Sequence, residues 1–254
     1  MRGALEGAAV RVAPSMNAQN VANAIWGLAT LWWQPGERAM RGALEAAVVR
    51  VAPSMNAQDV ANIIWGMVTL GWQAVLEVAV VFQQLLKDLL ARGVSGPVQL
   101  STATLSQLLQ AHLASQYLGL GLMVLPASML QIAVQARTEA ARRVTVSNSQ
   151  REVGESLRRL GISHQLEYTT ADGLFSIDLA ITDRRIALEF DGPSHFTTNT
   201  LEPLGHTRLR DRLLSAMGWR VVSIPFFDWD RLHNRPEQMD AYVQQRLLQD
   251  PPKP

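Results

Sequence analysis

Residues 186–196 read IALEFDGPSHF, and residues 207–230 read TRLRDRLLSAMGWRVVSIPFFDWD. The first stretch is an apolar strand that carries two acids, Glu189 and Asp191, toward a Gly-Pro turn with His195 just beyond it. Side chains alternate across a strand, so Glu189 and Asp191 share one face while Leu188 and Phe190 occupy the other. The second stretch predicts an arginine-bearing helix and then an apolar strand that returns beside the first. Upstream, HQLEYTT (164–170), LFSIDLAI (174–181) and RRIALEF (184–190) read as three strands. The turns Ala171-Asp172-Gly173 and Thr182-Asp183 make them an antiparallel meander. SNSQREVGESLRRLG (147–161) reads as a helix with a Ser149/Glu152 capping box, ended by Gly161. A helix at 206–218, a strand at 219–226 and a final helix at 236–249 complete the order α-β-β-β-α-β-α.

The other end of the chain is a repeat. MRGALE at 1–6 recurs at 40–45, and APSMNAQ at 13–19 recurs at 52–58, both with a period of 39 residues. Each unit, 1–39 and 40–78, reads as two helices separated by a Pro-Ser break. In the second helix Val60, Ile63, Ile64, Met67 and Val68 follow the three-and-four spacing of a buried stripe. Trp26 and Trp65 occupy equivalent positions, each three residues after an asparagine. Degenerate units continue to residue 144, with helices at 75–93 and 101–119, a break at Ser95-Gly96-Pro97, and Ser101 or Thr102 as an N-cap. A single hairpin cannot bury its own apolar face, so hairpins of this length stack into an α-solenoid.

Composition sets the limits. The chain has 254 residues and no cysteine, so its stability comes from packing rather than disulfides or thiolate metal sites. Residues 1–144 carry 10 Lys and Arg against 7 Asp and Glu, and the remainder 13 against 15. Neither part is a strongly basic surface for nucleic acid. Arginine dominates the cations, which suits bidentate phosphate contacts, although a GC-rich genome produces the same bias. Gly93 to Ala136 holds no charged residue. Its glutamines, His112 and Pro126 fit a solenoid interior better than a membrane span. The sequence shows no signal peptide and opens directly inside a repeat, which leaves open whether Met1 is the natural start.

Candidate binding residues follow from placement. Arg208 and Arg212 lie four apart on one helix face. Arg184 and Arg185 stand at a strand start, and Phe227 or Trp229 are aromatics able to stack on unpaired bases. For Trp229 burial in the core is the stronger expectation. In the repeats, Asn17, Asn56, Gln19 and Gln58 recur near helix starts, where base reading competes with helix capping and capping has the better claim for the asparagines.

Several ordered blocks resemble the RAP domain, a family found at the C-terminus of organellar RNA-metabolism proteins. They are Ile177-Asp178-Leu179, EFDGPSHF (189–196), RDRLL (210–214), GWRV (218–221) and Phe227-Asp228-Trp229. The resemblance covers about residues 145–250, with its core signature at 187–246. Helical repeats of octotricopeptide-like or FAST-kinase-like type commonly precede such a module. It implies an α-helical repeat solenoid over 1–144 and, over 145–250, an α/β domain resembling the restriction-endonuclease-like fold. The implied function is binding of single-stranded organellar RNA, in a mitochondrion or chloroplast, for processing, stability or translation.

That fold relationship also implies an alternative, a metal-dependent endoribonuclease. Asp178 and Glu189 would hold Mg²⁺, which prefers oxygen ligands, and His195 would act as general acid or base. Asp191 stands where such nucleases carry lysine, a departure that weakens the reading. Binding itself requires no cofactor. A further alternative is a scaffold that holds other proteins through the solenoid.

Overall fold

The computed structural model describes residues 2–36, 38–73, 76–95, 100–121, 124–141, 146–233 and 235–249. The chain divides into two compact units, residues 1–136 and 137–254. The first is helical and the second is built on a small mixed sheet.

In the helical unit, α1 (Arg2–Val12) and α2 (Ala18–Thr30) form the first repeat, and α3 (Arg38–Val51) and α4 (Ala57–Thr69) the second. Pro14 and Pro53 lie within single 3-10 turns that end each first helix. Proline has no N–H to continue an α-helix, which explains the break. Asn17 and Asn56 then cap the second helices. Their side chains accept from Asn20 N at 2.8 Å and Asp59 N at 2.9 Å, and the side chains of Asn20 and Asp59 accept in return from the cap N–H groups. The asparagines therefore serve as caps.

Helices α5 (Leu76–Ser95) and α6 (Thr102–Tyr117) follow, then α7 (Ala127–Ala141). Ser101 caps α6, accepting from Thr104 N at 3.1 Å. Of the expected Ser95-Gly96-Pro97 break, Gly96 and Pro97 lie outside the described residues. First helices pack on first helices, α1 on α3 and α3 on α5. Second helices likewise pack on second helices, α2 on α4 and α4 on α6. The predicted stripe of α4 is fully buried between its neighbours. At about 1.5–3 kcal/mol per large apolar side chain, this burial is what holds the stack together. Gln58 is tied to Asn62 within α4 and to Gln107 and Thr104 across the α4–α6 seam, and the Trp65 indole donates to Gln110 at 2.7 Å. Among the described residues no helix is long and apolar enough to cross a membrane.

The second unit runs α8 (Asn148–Arg159), β1 (Gln165–Thr169), β2 (Ser176–Ile181), β3 (Ile186–Asp191), α9 (Gly205–Ala216), β4 (Arg220–Pro225), α10 (Phe226–Trp229) and α11 (Pro236–Leu248). Its sheet has the order β1-β2-β3-β4. The first three strands form the predicted antiparallel meander, and β4 joins β3 in parallel, with Glu189 opposite Ser223 and Asp191 opposite Pro225. A parallel neighbour requires a crossover, and α9 supplies it. Val153 and Leu157 of α8 pack with Leu179, Leu188, Val222 and Ile224 of the sheet and with Met239, Val243 and Leu247 of α11.

Two local expectations are corrected. The N-cap of α8 is Ser147, boxed with Gln150, two residues before the expected Ser149/Glu152 pair. Glu152 instead accepts from the Trp229 indole N–H at 3.0 Å. Both pairs fit the capping pattern, and the tertiary partner of Glu152 decides between them. Strand β4 also ends sooner than expected, at Pro225, where the short helix α10 begins.

Candidate nucleic-acid interface

Strand alternation puts Glu189 and Asp191 on one face of β3, as the sequence predicts. The β2–β3 register pairs Leu179 with Leu188 and Ala180 with Ala187, so the next step sets Asp178 opposite Glu189 on the same face. Asp178 Oδ2 accepts from Phe190 N at 2.8 Å. Asp178, Glu189 and Asp191 therefore do converge.

At the centre of the convergence is Arg210 of α9. Its guanidinium lies 3.3 Å from Glu189 Oε2, 3.0 Å from Asp191 Oδ1 and 2.7 Å from Asp211 Oδ1. Burial opposes its charge, but Glu189, Asp211 and Asp191 outweigh that and hold it more firmly protonated. Ser223 Oγ donates to the other oxygen of Asp191. The cluster is buried. Among the described residues Glu189 Oε1 finds no hydrogen-bond partner, and burial drives the Glu189 carboxyl well above the usual carboxylate range. Arg210 pulls against that shift, while Asp178, Asp191 and Asp211 add to it. Burial likewise raises Asp211.

These residues do not fit a hydrated Mg²⁺. The cation among the acids is a guanidinium that already engages Glu189 and Asp191, and Asp178 is committed to a backbone N–H. Among the described residues no group of three His, Asp or Glu side chains is arranged to hold a metal ion. His195 lies 3.3 Å from Asp191 and 3.1 Å from Thr207 Oγ1 through Nδ1, with its ring 5.3 Å from that of His206. Burial lowers both histidines, so each is mainly neutral near pH 7.

Burial pushes Asp178 from 3.8 up to about 6, against the pull of the Phe190 N–H and Arg210. A carboxyl raised in the folded state stabilises fully below its unfolded pKa, and that contribution is lost as pH rises through the folded pKa. For Asp178 the window runs from about pH 4 to about pH 6. At about 1.4 kcal/mol per pKa unit, discounted for partial solvent access, the change is roughly 1–3 kcal/mol. Asp178→Asn is expected to remove this fraction of the pH dependence in urea melts at pH 4 and pH 6.5. An unchanged difference between those two stabilities overturns the assignment.

The predicted arginines separate by surroundings. Arg184 is exposed. Arg185 sits in the left-handed region (φ 49°), donates to Met217 O and Gly218 O, and lies over the Trp219 ring at 4.9 Å. It fastens the turn before β3 to the turn before β4. Arg208 is held by Glu202 at 3.0 Å and by Pro203 O. Arg212 is half-buried, and burial lowers its pKa. Trp229 is 2% exposed and its N–H is taken by Glu152, so it is buried, the outcome the sequence favours, and is not available for stacking. Phe227 is half-buried, in edge contact with Phe196 and Phe226.

Sequence reasoning gave Arg210 no functional weight. The signal was present, since Arg210 is three and four residues before Leu213 and Leu214, both fully buried, and so belongs to the inward face of α9.

Residues 188–246 match the RAP domain family. The chain carries a RAP domain. The matched stretch spans most of β3 through most of α11 and holds Glu189, Asp191, His195 and Arg210, while Asp178, Arg184 and Arg185 precede it. The chain is 40% identical over 94 residues to a RAP domain-containing protein, chloroplastic, of Oryza sativa subsp. japonica, covering 37% of this chain and 14% of that one. It is 37% identical over 74 residues to a FAST kinase domain-containing protein 3, mitochondrial, of Bos taurus, covering 29% and 11%. The corresponding Homo sapiens protein is 38% identical over 65 residues, covering 26% and 10%. This chain thus spans only about a seventh or less of the length of these relatives. In the RAP domain the guanidinium–carboxylate cluster ties β3 to the crossover helix, which fixes the rim formed by His195, His206 and the start of α9.

Proposed function

We propose that this chain binds single-stranded RNA in a mitochondrion or chloroplast and acts there in RNA processing, stability or translation. The carrying observation is the RAP domain match over residues 188–246, joined to relatives named as chloroplastic and mitochondrial proteins. We read the helical unit as a short α-solenoid and the second unit as a restriction-endonuclease-like α/β domain. The proposal is for binding without cleavage, because a guanidinium already stands between Glu189 and Asp191 where a metal ion would sit, and Asp178 Oδ2 is taken by the Phe190 N–H.

The charge pattern favours recognition of bases over neutralisation of phosphates. Net charge is +1, and several arginines of the second unit are bonded internally. Helix α2 presents exposed Gln19 and Asn23, amides that can hydrogen-bond unstacked bases, whereas the Gln58 amide of α4 is already bonded to Asn62, Gln107 and Thr104. The expected salt dependence is therefore shallow. Each phosphate contact with a single strand contributes a slope of about −0.7 in log K against log salt, and about two or three contacts are expected. Fluorescence anisotropy of the full chain with labelled single-stranded RNA measures this. Arg184→Ala is expected to flatten the slope by about one contact, roughly 0.7. Absence of binding at low salt, with the protein folded, overturns the proposal. Turnover of the RNA in Mg²⁺ that is lost in Asp178→Asn/Glu189→Gln would replace it with the nuclease reading.

A further inference from the structure

The neighbours of His195 fix which of its ring nitrogens carries the proton. His195 closes the 3-10 turn Pro193–His195 that follows β3. Its carbonyl accepts from Leu204 N at 2.8 Å and from Thr207 Oγ1 at 3.2 Å, which ties the turn to the start of α9. The Thr207 hydroxyl has one proton, and it goes to that carbonyl, which can only accept. Thr207 Oγ1 is then an acceptor toward His195 Nδ1, 3.1 Å away. The other neighbour of Nδ1 is Asp191 Oδ1 at 3.3 Å, an acceptor as well. In the neutral imidazole the proton therefore sits on Nδ1, and Nε2 carries the lone pair.

The partners that set this tautomer are themselves held. Asp191 and Thr207 are each 1% exposed, and Asp191 is gripped by Arg210 at 3.0 Å and by the Ser223 hydroxyl. The His195 side chain keeps 28% of its surface open, and among the described residues Nε2 has no hydrogen-bond partner. The imidazole stands past the carboxyl end of β3, whose parallel neighbour is β4. Ligands of open α/β sheets bind outside the carboxyl ends of parallel strands.

A fixed acceptor sorts the groups of a polynucleotide. Phosphate oxygens and base carbonyls bring only lone pairs to Nε2 and are refused. The donors are base amino and imino groups and the ribose 2′-hydroxyl. Base edges are read by paired donors and acceptors, whereas a single acceptor suits a single hydroxyl. Every ribonucleotide carries that hydroxyl and no deoxyribonucleotide does. We propose that His195 Nε2 accepts a hydrogen bond from a ribose 2′-hydroxyl and so selects RNA over strands that lack it, with Asp191 and Thr207 as positioning residues that hold the accepting tautomer. The inference rests on the RNA-binding reading and adds the group that is recognised.

The test compares the affinity of the full chain for one single-stranded sequence made as RNA and as 2′-fluoro RNA, which lacks the hydroxyl proton. The wild type is expected to bind RNA more tightly by about fivefold or more, the share of one hydrogen bond. His195→Phe keeps a ring and removes the acceptor. It is expected to lower RNA affinity to the 2′-fluoro level and to leave 2′-fluoro affinity unchanged. Thr207→Val removes one of the two acceptors at Nδ1 and is expected to narrow the gap in part. Circular dichroism checks that both variants are folded. Equal affinity of the wild type for the two strands overturns the proposal. So does a His195→Phe loss that is the same for both, because that outcome assigns His195 to a base or to the fold. Those two results leave RNA binding itself intact, whereas absence of binding to either strand overturns the RNA-binding reading and this inference together.

Discussion

Arg210→Met is expected to destabilise the α/β unit by about 3–5 kcal/mol, the range for leaving buried charge without its partner. Glu189 and Asp191 are each almost wholly inaccessible, and Arg210 is within 3.3 Å of both. Removing the guanidinium leaves those carboxyls, already crowded by Asp178 and Asp211, without a counter-charge. Small domains are stable by only about 5–15 kcal/mol in total, so the loss is a large share of the whole and a clearly lowered melting temperature is expected. Urea titration followed by circular dichroism measures the loss. Arg210→Lys retains charge but loses the fork geometry that reaches three acids at once, and is expected to fall between the wild type and the methionine variant. Neutralising the acids together with the arginine, as Arg210→Met/Glu189→Gln/Asp191→Asn, is expected to recover part of the loss. The groups form one network and their effects are not additive. A loss below about 1 kcal/mol in Arg210→Met would mean that the cluster is hydrated rather than buried.

Trp229→Ala is expected to cost about 3–5 kcal/mol, as truncation of a buried large aromatic does. Trp229 packs in the main core with Leu179, Leu188 and Val243, in T-shaped contact with Tyr242 at 6.3 Å between ring centroids. Trp229→Phe keeps most of the apolar volume but leaves Glu152 without its indole partner, and about 1–2 kcal/mol is expected to be lost. The pair also tests the stacking idea raised by the sequence. With the protein folded, Trp229→Phe is expected to bind single-stranded RNA as the wild type does. A tenfold loss of affinity with intact circular dichroism would place the ring at the RNA surface after all.

Much of the local structure was legible because it depends on short-range chemistry. Asn17 and Asn56 cap helices since an extended asparagine preceding a helix can accept from the third residue on, and that choice needs no distant partner. The strands 165–169 and 176–181 fall within the stretches predicted from apolar runs between tight turns, and 186–191 runs one residue past its predicted end. Where two local solutions competed, as with Ser147/Gln150 and Ser149/Glu152, a residue 77 positions away decided the outcome through the Trp229–Glu152 bond. The candidate site divides along the same line. The shared face of Glu189 and Asp191 follows from alternation alone. Arg210 among them follows from the crossover of α9 over the sheet, which no spacing rule states.

By itself, the sequence determined the 39-residue hairpins, the α-β-β-β-α-β-α order and the acids on one face of β3, because periodicity, caps and turns act within a few residues of one another. Only the tertiary structure decided that a guanidinium occupies the centre of those acids, and that Leu5, Val12 and Leu31 face outward while Leu44, Val51 and Leu70 do not. Burial and charge compensation belong to the neighbours a side chain acquires in space, and identical residues acquire different ones.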